Sequence, residues 1–138
     1  MDFKTSVKSV FHKYATFSGR ASRSEYWYFT LLNILVSWGA ILAGIAIGSI
    51  IGSTNSGSEG LALGAGAGYM IGLIIASIYG LAVLIPGLAV TVRRLHDTGR
   101  GGGWIFIYLV PIVGPIVLLV FLVTGSEEET NRFGEKPE

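Results

Sequence analysis

Three stretches free of charged residues dominate the chain, and their dense apolar parts cover 26–51, 69–90 and 104–123. A bilayer core of about 30 Å needs about 20 helical residues, and each part meets that length. The pattern predicts an all-α polytopic membrane protein with three transmembrane helices. The third holds Pro111 and Pro115 near its middle. Proline removes a backbone donor and crowds the preceding turn, so a kink is expected there. Ahead of the first span, Phe3, Val7, Val10, Phe11, Tyr14 and Phe17 fall on one arc of a helical wheel, with Lys4, Lys8, His12 and Lys13 off it. That spacing predicts an amphipathic helix over 2–17, lying in the membrane interface with its lysines reaching for phosphates. The polar remainder, 124–138, reads as a tail whose stretch Gly125-Ser-Glu-Glu-Glu-Thr130 is solvated.

The first span opens on Ser22-Arg-Ser-Glu25, a capping box with Ser22 as N-cap and Glu25 at the third helical position. Tyr26, Trp27, Tyr28 and Phe29 follow as an aromatic belt, and Trp104 takes the same place for the third span. The run before the first span is charged and the span is too long for a signal core, so an uncleaved span is expected. Basic residues fix the orientation. The N-terminal segment carries Lys4, Lys8, Lys13, Arg20 and Arg23, and 93–100 carries Arg93, Arg94 and Arg100. The connection 52–68 has no basic residue and is rich in glycine, serine and alanine. The positive-inside rule places the N-terminus and 93–100 in the cytoplasm, with 52–68 as a flexible outer loop. A full third span puts the tail outside. The alternative is a re-entrant hairpin broken at the prolines, which returns the tail to the cytoplasm; 20 or so residues are few for that, and the kinked span is preferred.

Small residues recur every fourth position: Ala40, Gly44, Gly48 and Gly52 in the first span, and Gly64, Gly68, Gly72, Ala76 and Gly80 in the second. Lipid gives apolar helices no hydrophobic reason to associate, so close approach over small residues matters. The stripes pair within one chain or, across copies, make a homo-oligomer; a glycine-lined pore is the weaker reading.

Composition agrees. Of 138 residues, 51% are hydrophobic before the 20 glycines are counted, and 14% are charged. Mean hydropathy is +0.60. There is no cysteine, which excludes disulfides and thiolate chemistry, and the two histidines make an all-protein zinc site unexpected. No cofactor is implied. The arginines sit at membrane ends without a basic soluble domain, so nucleic acid is not expected as a partner.

Chemistry concentrates in two motifs, Phe17-Ser-Gly-Arg20-Ala-Ser-Arg23-Ser-Glu25-Tyr-Trp27 and Arg93-Arg94-Leu-His96-Asp97-Thr-Gly99-Arg100. Glu25 and Asp97 are the only acids near these arginines, and arginine–carboxylate forks are strong when partly buried. The expectation is a cluster at the cytoplasmic face that ties Arg20, Arg23, Arg93 and Arg94 to Glu25 and Asp97, with His96 and Arg100 beside it.

These motifs, with Asn131-Arg132-Phe133-Gly134 near the end, resemble one family: the bacterial inner-membrane family of unknown function that includes the YhaH-like proteins. The likeness runs over almost the whole chain and departs around 53–68, which is unusually rich in small residues. It implies a small multi-pass protein of the inner (cytoplasmic) membrane and supplies neither catalytic residue nor ligand.

Three functions compete. The favoured one is a non-catalytic adaptor, regulator or scaffold whose arginine cluster binds an unidentified protein partner or the headgroups of anionic phospholipids in the bilayer; topology and internal salt bridges explain the same arginines. A small transporter or oligomeric channel is the alternative, since broken helices build sites in transporters, but no charge lies inside a span and Asn33, Ser37, Ser77 and Thr91 are the main polar groups there. An enzyme acting on lipid phosphates, with arginines as the clamp and His96 as general acid or base, stands third. Metal binding at His96-Asp97 is weaker still.

Overall fold

A computed structural model describes residues 1–138; its regular elements are all helices, joined and followed by irregular segments that hold one isolated β-bridge, Asn131 to Gly134. Helix α1 is Phe3–His12, helix α2 is the long run Arg23–Asp97, a 3-10 helix covers Gly102–Leu109, and helix α3 is Val113–Val123. The run Arg23–Asp97 is long and apolar enough to cross a membrane. Its backbone leaves helical geometry at Ser56 and Gly57, which divides it into an outgoing arm, 23–55, and a returning arm, 58–97. The chain packs as two units, 1–30 with 84–138, and 31–83.

In the unit 31–83 the two arms form a hairpin sealed by glycine. Gly44 faces Gly68, Gly48 faces Gly64 and Gly52 faces Gly60, each pair equidistant from Ser56. A Cβ on any of these would overlap the carbonyl oxygen of its opposite number. One turn further out, a Cβ on Gly72 would lie 2.7 Å from the Ala40 oxygen and 2.7 Å from the Ile41 Cα. The small-residue stripes therefore join within the chain, backbone against backbone, which is the form of contact that works where lipid gives no hydrophobic gain. Ala76 continues the stripe and is half-buried.

This packing explains why 52–68 is not the loop its composition predicts. Glycine costs a helix about 1 kcal/mol against alanine in isolation, but here each glycine admits the other arm. Ser53, Thr54 and Asn55 bond back to the carbonyls of Ile50 and Ile51, so their polar groups are met on the helix itself. The reversal is confined to Ser56 and Gly57, and Gly57 takes φ +60°, ψ −135°, a conformation glycine tolerates.

Charges and hydrophobes are distributed inside-out. Leu63, Leu81 and Ile112 are more than 70% exposed, whereas Glu25, Arg94 and Asp97 are fully buried. A surface of that kind suits a hydrocarbon surrounding.

The third apolar segment is not one kinked helix. The 3-10 helix ends at Leu109, and at Pro111-Ile112-Val113 the chain makes a γ-turn: Ile112 has φ +66°, ψ −59°, and Val113 N–H donates to the Pro111 carbonyl at 2.7 Å. Helix α3 then starts at Val113 and packs back on the 3-10 helix, with Gly114 against the Ile107 carbonyl so closely that no Cβ fits. The two ends meet: the Trp104 and Phe121 rings are edge to face at 5.4 Å, and Glu127 N–H donates to the Asp97 carbonyl at 3.0 Å. Two prolines four residues apart thus reverse the chain rather than bend it. Leu118 and Leu122 of α3 bury with Leu95 against Tyr26, Trp27, Ile105, Ile107 and Phe121.

Helix α1 is shorter than the 2–17 segment. Asp2 caps it by accepting from Thr5 N–H at 2.7 Å, and it closes at His12, leaving Tyr14 and Phe17 beyond its end. Ser6 and Val10 are buried, while Lys4, Lys8, Phe3 and Phe11 are exposed.

Candidate functional site

The two arginine motifs are helix ends. Ser22 caps the start of α2, its Oγ accepting from Glu25 N–H at 3.2 Å. The reciprocal half of the capping box is missing, because the Glu25 carboxylate is engaged elsewhere. At the other end Gly99 sits at φ +73°, with Gly99 N–H bonded to the His96 carbonyl and Arg100 N–H to that of Leu95, each at 3.0 Å. This is a Schellman ending. Gly99 is required twice, since a Cβ would also run into the Glu127 carboxylate.

Asp97, in the last turn, is the hub. Its Oδ1 accepts from Arg20 Nε at 2.9 Å, and its Oδ2 accepts from Arg94 Nη1 and Ser126 Oγ. A carboxylate at a helix C-terminus opposes the helix dipole; two guanidiniums offset that here. Arg20 uses its whole donor fork: besides Asp97 Oδ1 it reaches the carbonyls of Glu127 at 2.6 Å, Glu129 at 2.8 Å, Gly134 at 3.3 Å and Asp97 at 3.4 Å. Arg94 does nearly the same, with Nε on the Leu122 carbonyl at 3.0 Å and Nη2 on that of Thr124, and Nη1 reaching the Ala21 carbonyl at 3.5 Å. Burial draws the Arg94 guanidinium below its ordinary value while Asp97 pulls it back up.

A second pair lies beside this knot. Arg93 Nη1 donates to Glu25 Oε1 at 2.7 Å, and Ser9 Oγ of α1 donates to the same oxygen at 3.0 Å. Glu25 Oε2, Arg93 Nε and Nη2, and Ser6 Oγ are buried without a partner. His96 donates from Nδ1 to the Gly19 carbonyl at 3.0 Å, and its ring lies flat on Phe133, centroids 3.9 Å apart and planes 2° off parallel. Burial holds its pKa below the ordinary value, and the charge of Arg132 adds to that. Asn131 Nδ2 donates to the His96 carbonyl at 2.9 Å and to Glu127 Oε2 at 2.7 Å.

Of the residues the sequence singles out, Arg20, Arg94 and Asp97 thus share one network, Arg93 and Glu25 form another, and His96 stacks next to the first. Arg23 is exposed and joins no ion pair, so it falls outside the cluster it was expected in. Arg100 stands apart, its Cζ 4.0 Å above the Phe121 ring. The polar tail is solvated only in part. Its glutamate side chains are exposed, but its carbonyls and Ser126, Asn131 and Phe133 complete the knot. The signal was the Asn-Arg-Phe-Gly run; no composition rule marks a carbonyl as an arginine ligand. Chemically, a saturated carboxylate and a histidine with Nδ1 committed and one face covered make a clamp on three chain segments rather than a reactive centre.

The three motifs that close this knot lie within the part of the chain that matches other proteins. Residues 14–135 match the model described as "Protein of unknown function (DUF805)". The chain belongs to the DUF805 family. Among its relatives, "Inner membrane protein YhaI" of Escherichia coli (strain K12) is 41% identical over 129 residues, 94% of this chain and 92% of that protein. "Inner membrane protein YhaH" of the same organism is 35% identical over 128 residues, 93% of this chain and 92% of that protein. No solved structure matches significantly. The DUF805 match begins after α1 and takes in the knot complete, from Arg20 to Gly134.

Proposed function

We propose that this DUF805 protein is a non-catalytic scaffold of the bacterial inner membrane, with two spans, a re-entrant hairpin, and both its N-terminal helix and its tail in the cytoplasm. The observation that carries this reading is the bond from Glu127 N–H to the Asp97 carbonyl, with a γ-turn at Ile112 between 97 and 127. A segment whose ends are bonded together begins and finishes on one side. Helix α3, with 11 residues, is about 16 Å long and short of a bilayer core of about 30 Å. The names of YhaI and YhaH supply the inner membrane, and the basic residues of 4–23 and 93–100 supply the orientation.

The scaffold role rests on where the arginines are spent. Arg20 and Arg94 bind the protein's own backbone, which leaves no clamp for a substrate phosphate inside the knot, and His96 is committed to Gly19. The glycine stripe is closed by backbone contact, which argues for packing over a pore lining. What the fold offers outward is α1, with Lys4 and Lys8 exposed, and the acidic tail.

The chain lacks cysteine, so single cysteines report topology cleanly. Ser6 is buried, so Thr5→Cys is the N-terminal probe; Ser58→Cys and Thr130→Cys mark the hairpin tip and the tail. An impermeant maleimide applied to spheroplasts should label position 58 alone, and applied to inverted vesicles should label 5 and 130. Labelling of 130 from the outside restores three spans and ends this reading.

A further inference from the structure

We infer that the cleft beside the glycine run 101–103 is a binding site for a phosphate group, supplied by an anionic phospholipid. The inference deepens the membrane reading above and depends on it for the source of the phosphate, not for the site.

Arg100 and Arg132 are arginines that the ion-pair network leaves without a carboxylate, and each is held over an aromatic ring: Arg100 Cζ lies 4.0 Å from the Phe121 centroid and Arg132 Cζ 4.7 Å from that of Phe133. Stacking fixes a guanidinium while leaving its in-plane N–H groups free to fork onto an oxyanion. Arg100 commits one group, Nη1, to the Thr98 carbonyl at 3.3 Å. The nearby acid Glu127 is held by Asn131.

Gly101-Gly102-Gly103 follows Arg100 in the chain, and next to it opens a shallow, wide-mouthed cleft of about 510 Å³ lined by Gly101, Gly103, Trp104, Ile107 and Arg132, with Arg100 outside the lining. The three glycines are not equivalent. Gly102 is needed for packing, as a Cβ there would come 2.7 Å from Val92 Cγ1. Gly103 has nothing within 4 Å, and Gly101 would meet only Arg132 Nη2 at 3.8 Å. Neither has a positive φ. Packing and backbone conformation thus make no demand for glycine at 101 and 103; what a side chain there would do is fill the cleft. The opposite wall follows from helix type. In a 3-10 helix residues three apart eclipse, so Trp104 and Ile107 stack into one apolar face. The cleft thus sets one cation, Arg132, beside an apolar wall, the two kinds of surface that suit a phosphate and the chains attached to it. Trp104 marks the boundary where such a headgroup lies.

The test uses full-length protein in neutral maltoside micelles. Native mass spectrometry counts lipids retained from an equimolar mixture of dioleoyl-phosphatidylglycerol and dioleoyl-phosphatidylcholine by wild type, Arg132→Gln and Gly103→Leu. Arg132 is exposed, so R132Q keeps the fold; circular dichroism checks G103L. A second arm follows line broadening of inorganic phosphate in the ³¹P spectrum and needs no lipid, so its result is separate from the cysteine labelling. The expected result is preferential retention of phosphatidylglycerol by wild type, cut about tenfold or more by R132Q, as the loss of a charge-assisted bond implies, and cut also by G103L, which fills the cleft. Broadening of inorganic phosphate that R132Q abolishes, with no preference between the lipids, keeps the site and makes free phosphate its ligand. Equal retention of both lipids without phosphate broadening, or phosphatidylglycerol retention that survives both substitutions, overturns the inference.

Discussion

Arg20 and Asp97 stand 77 positions apart and form a buried ion pair, Nε to Oδ1 at 2.9 Å, at the junction of the N-terminal segment, the end of the long helical run and the tail. Asp97 is shared with Arg94, so its loss strands two guanidiniums. Asp97→Ala should destabilise the protein by about 3–5 kcal/mol, the range for breaking a buried pair from one side, read as a lower melting temperature in detergent. Arg20→Lys should recover little of the loss in Arg20→Ala, because one ammonium cannot reproduce a five-donor fork spread over four carbonyls and a carboxylate. If Arg20→Lys melts like wild type, the fork is not what matters.

Glycines separate into two classes. Gly48→Ala and Gly64→Ala force the hairpin arms apart, since each new methyl overlaps a carbonyl of the other arm; each should cost several degrees of melting temperature. Gly39, Gly66 and Gly80 have open space around them, so alanine there should be neutral or stabilising by up to about 1 kcal/mol. Equal responses in both classes would remove the packing explanation for the stripe.

Ile112 is a β-branched residue at positive φ and is 79% exposed. It bears backbone strain with little packing in return. Ile112→Gly should therefore stabilise the hairpin by about 1 kcal/mol, seen as a higher melting temperature. A lower one would mean that the exposed side chain contributes more than the strain it causes.

His96 makes stability depend on acidity. Its folded pKa lies below the ordinary value of 6.5, chiefly through burial. The unfolded chain then takes up a proton near pH 6.5 that the folded one refuses, so the stability contributed by neutral His96 is complete above that pH and is lost as pH falls below it. The melting temperature of wild type should drop between pH 7 and pH 5 more steeply than that of His96→Asn. Parallel profiles would assign the acid sensitivity elsewhere.

What the sequence allowed to be read depended on the scale of the signal. The N-cap at Ser22 was legible because its partner Glu25 lies three residues away, and the small-residue stripes because their period is fixed. That Arg20, Arg93 and Arg94 meet Glu25 and Asp97 follows from the scarcity of acids, but which arginine takes which acid is seen only in the fold. Arg23 carries the same charge and lies in the same motif, yet points outward; only the phase of the first helical turn separates it from the buried residues. The loop expected over 52–68 and the kink expected at Pro111 failed for a common reason. Glycine and proline carry a local meaning as breakers, whereas the decisive contacts, Gly48 with Gly64 and Gly114 with Ile107, are tertiary. The tail escaped because its part is played by carbonyl groups, which every residue carries.

The order of synthesis gives the arginine knot a further property. Arg20 leaves the ribosome early, and three of the carbonyls that saturate it belong to Glu127, Glu129 and Gly134. Until residues 127–134 emerge, a nascent chain carries the Arg20 guanidinium without those three acceptors. Closure of the knot is therefore a late event in the life of the chain: it waits on residues 127–134, which leave the ribosome after every apolar segment has done so.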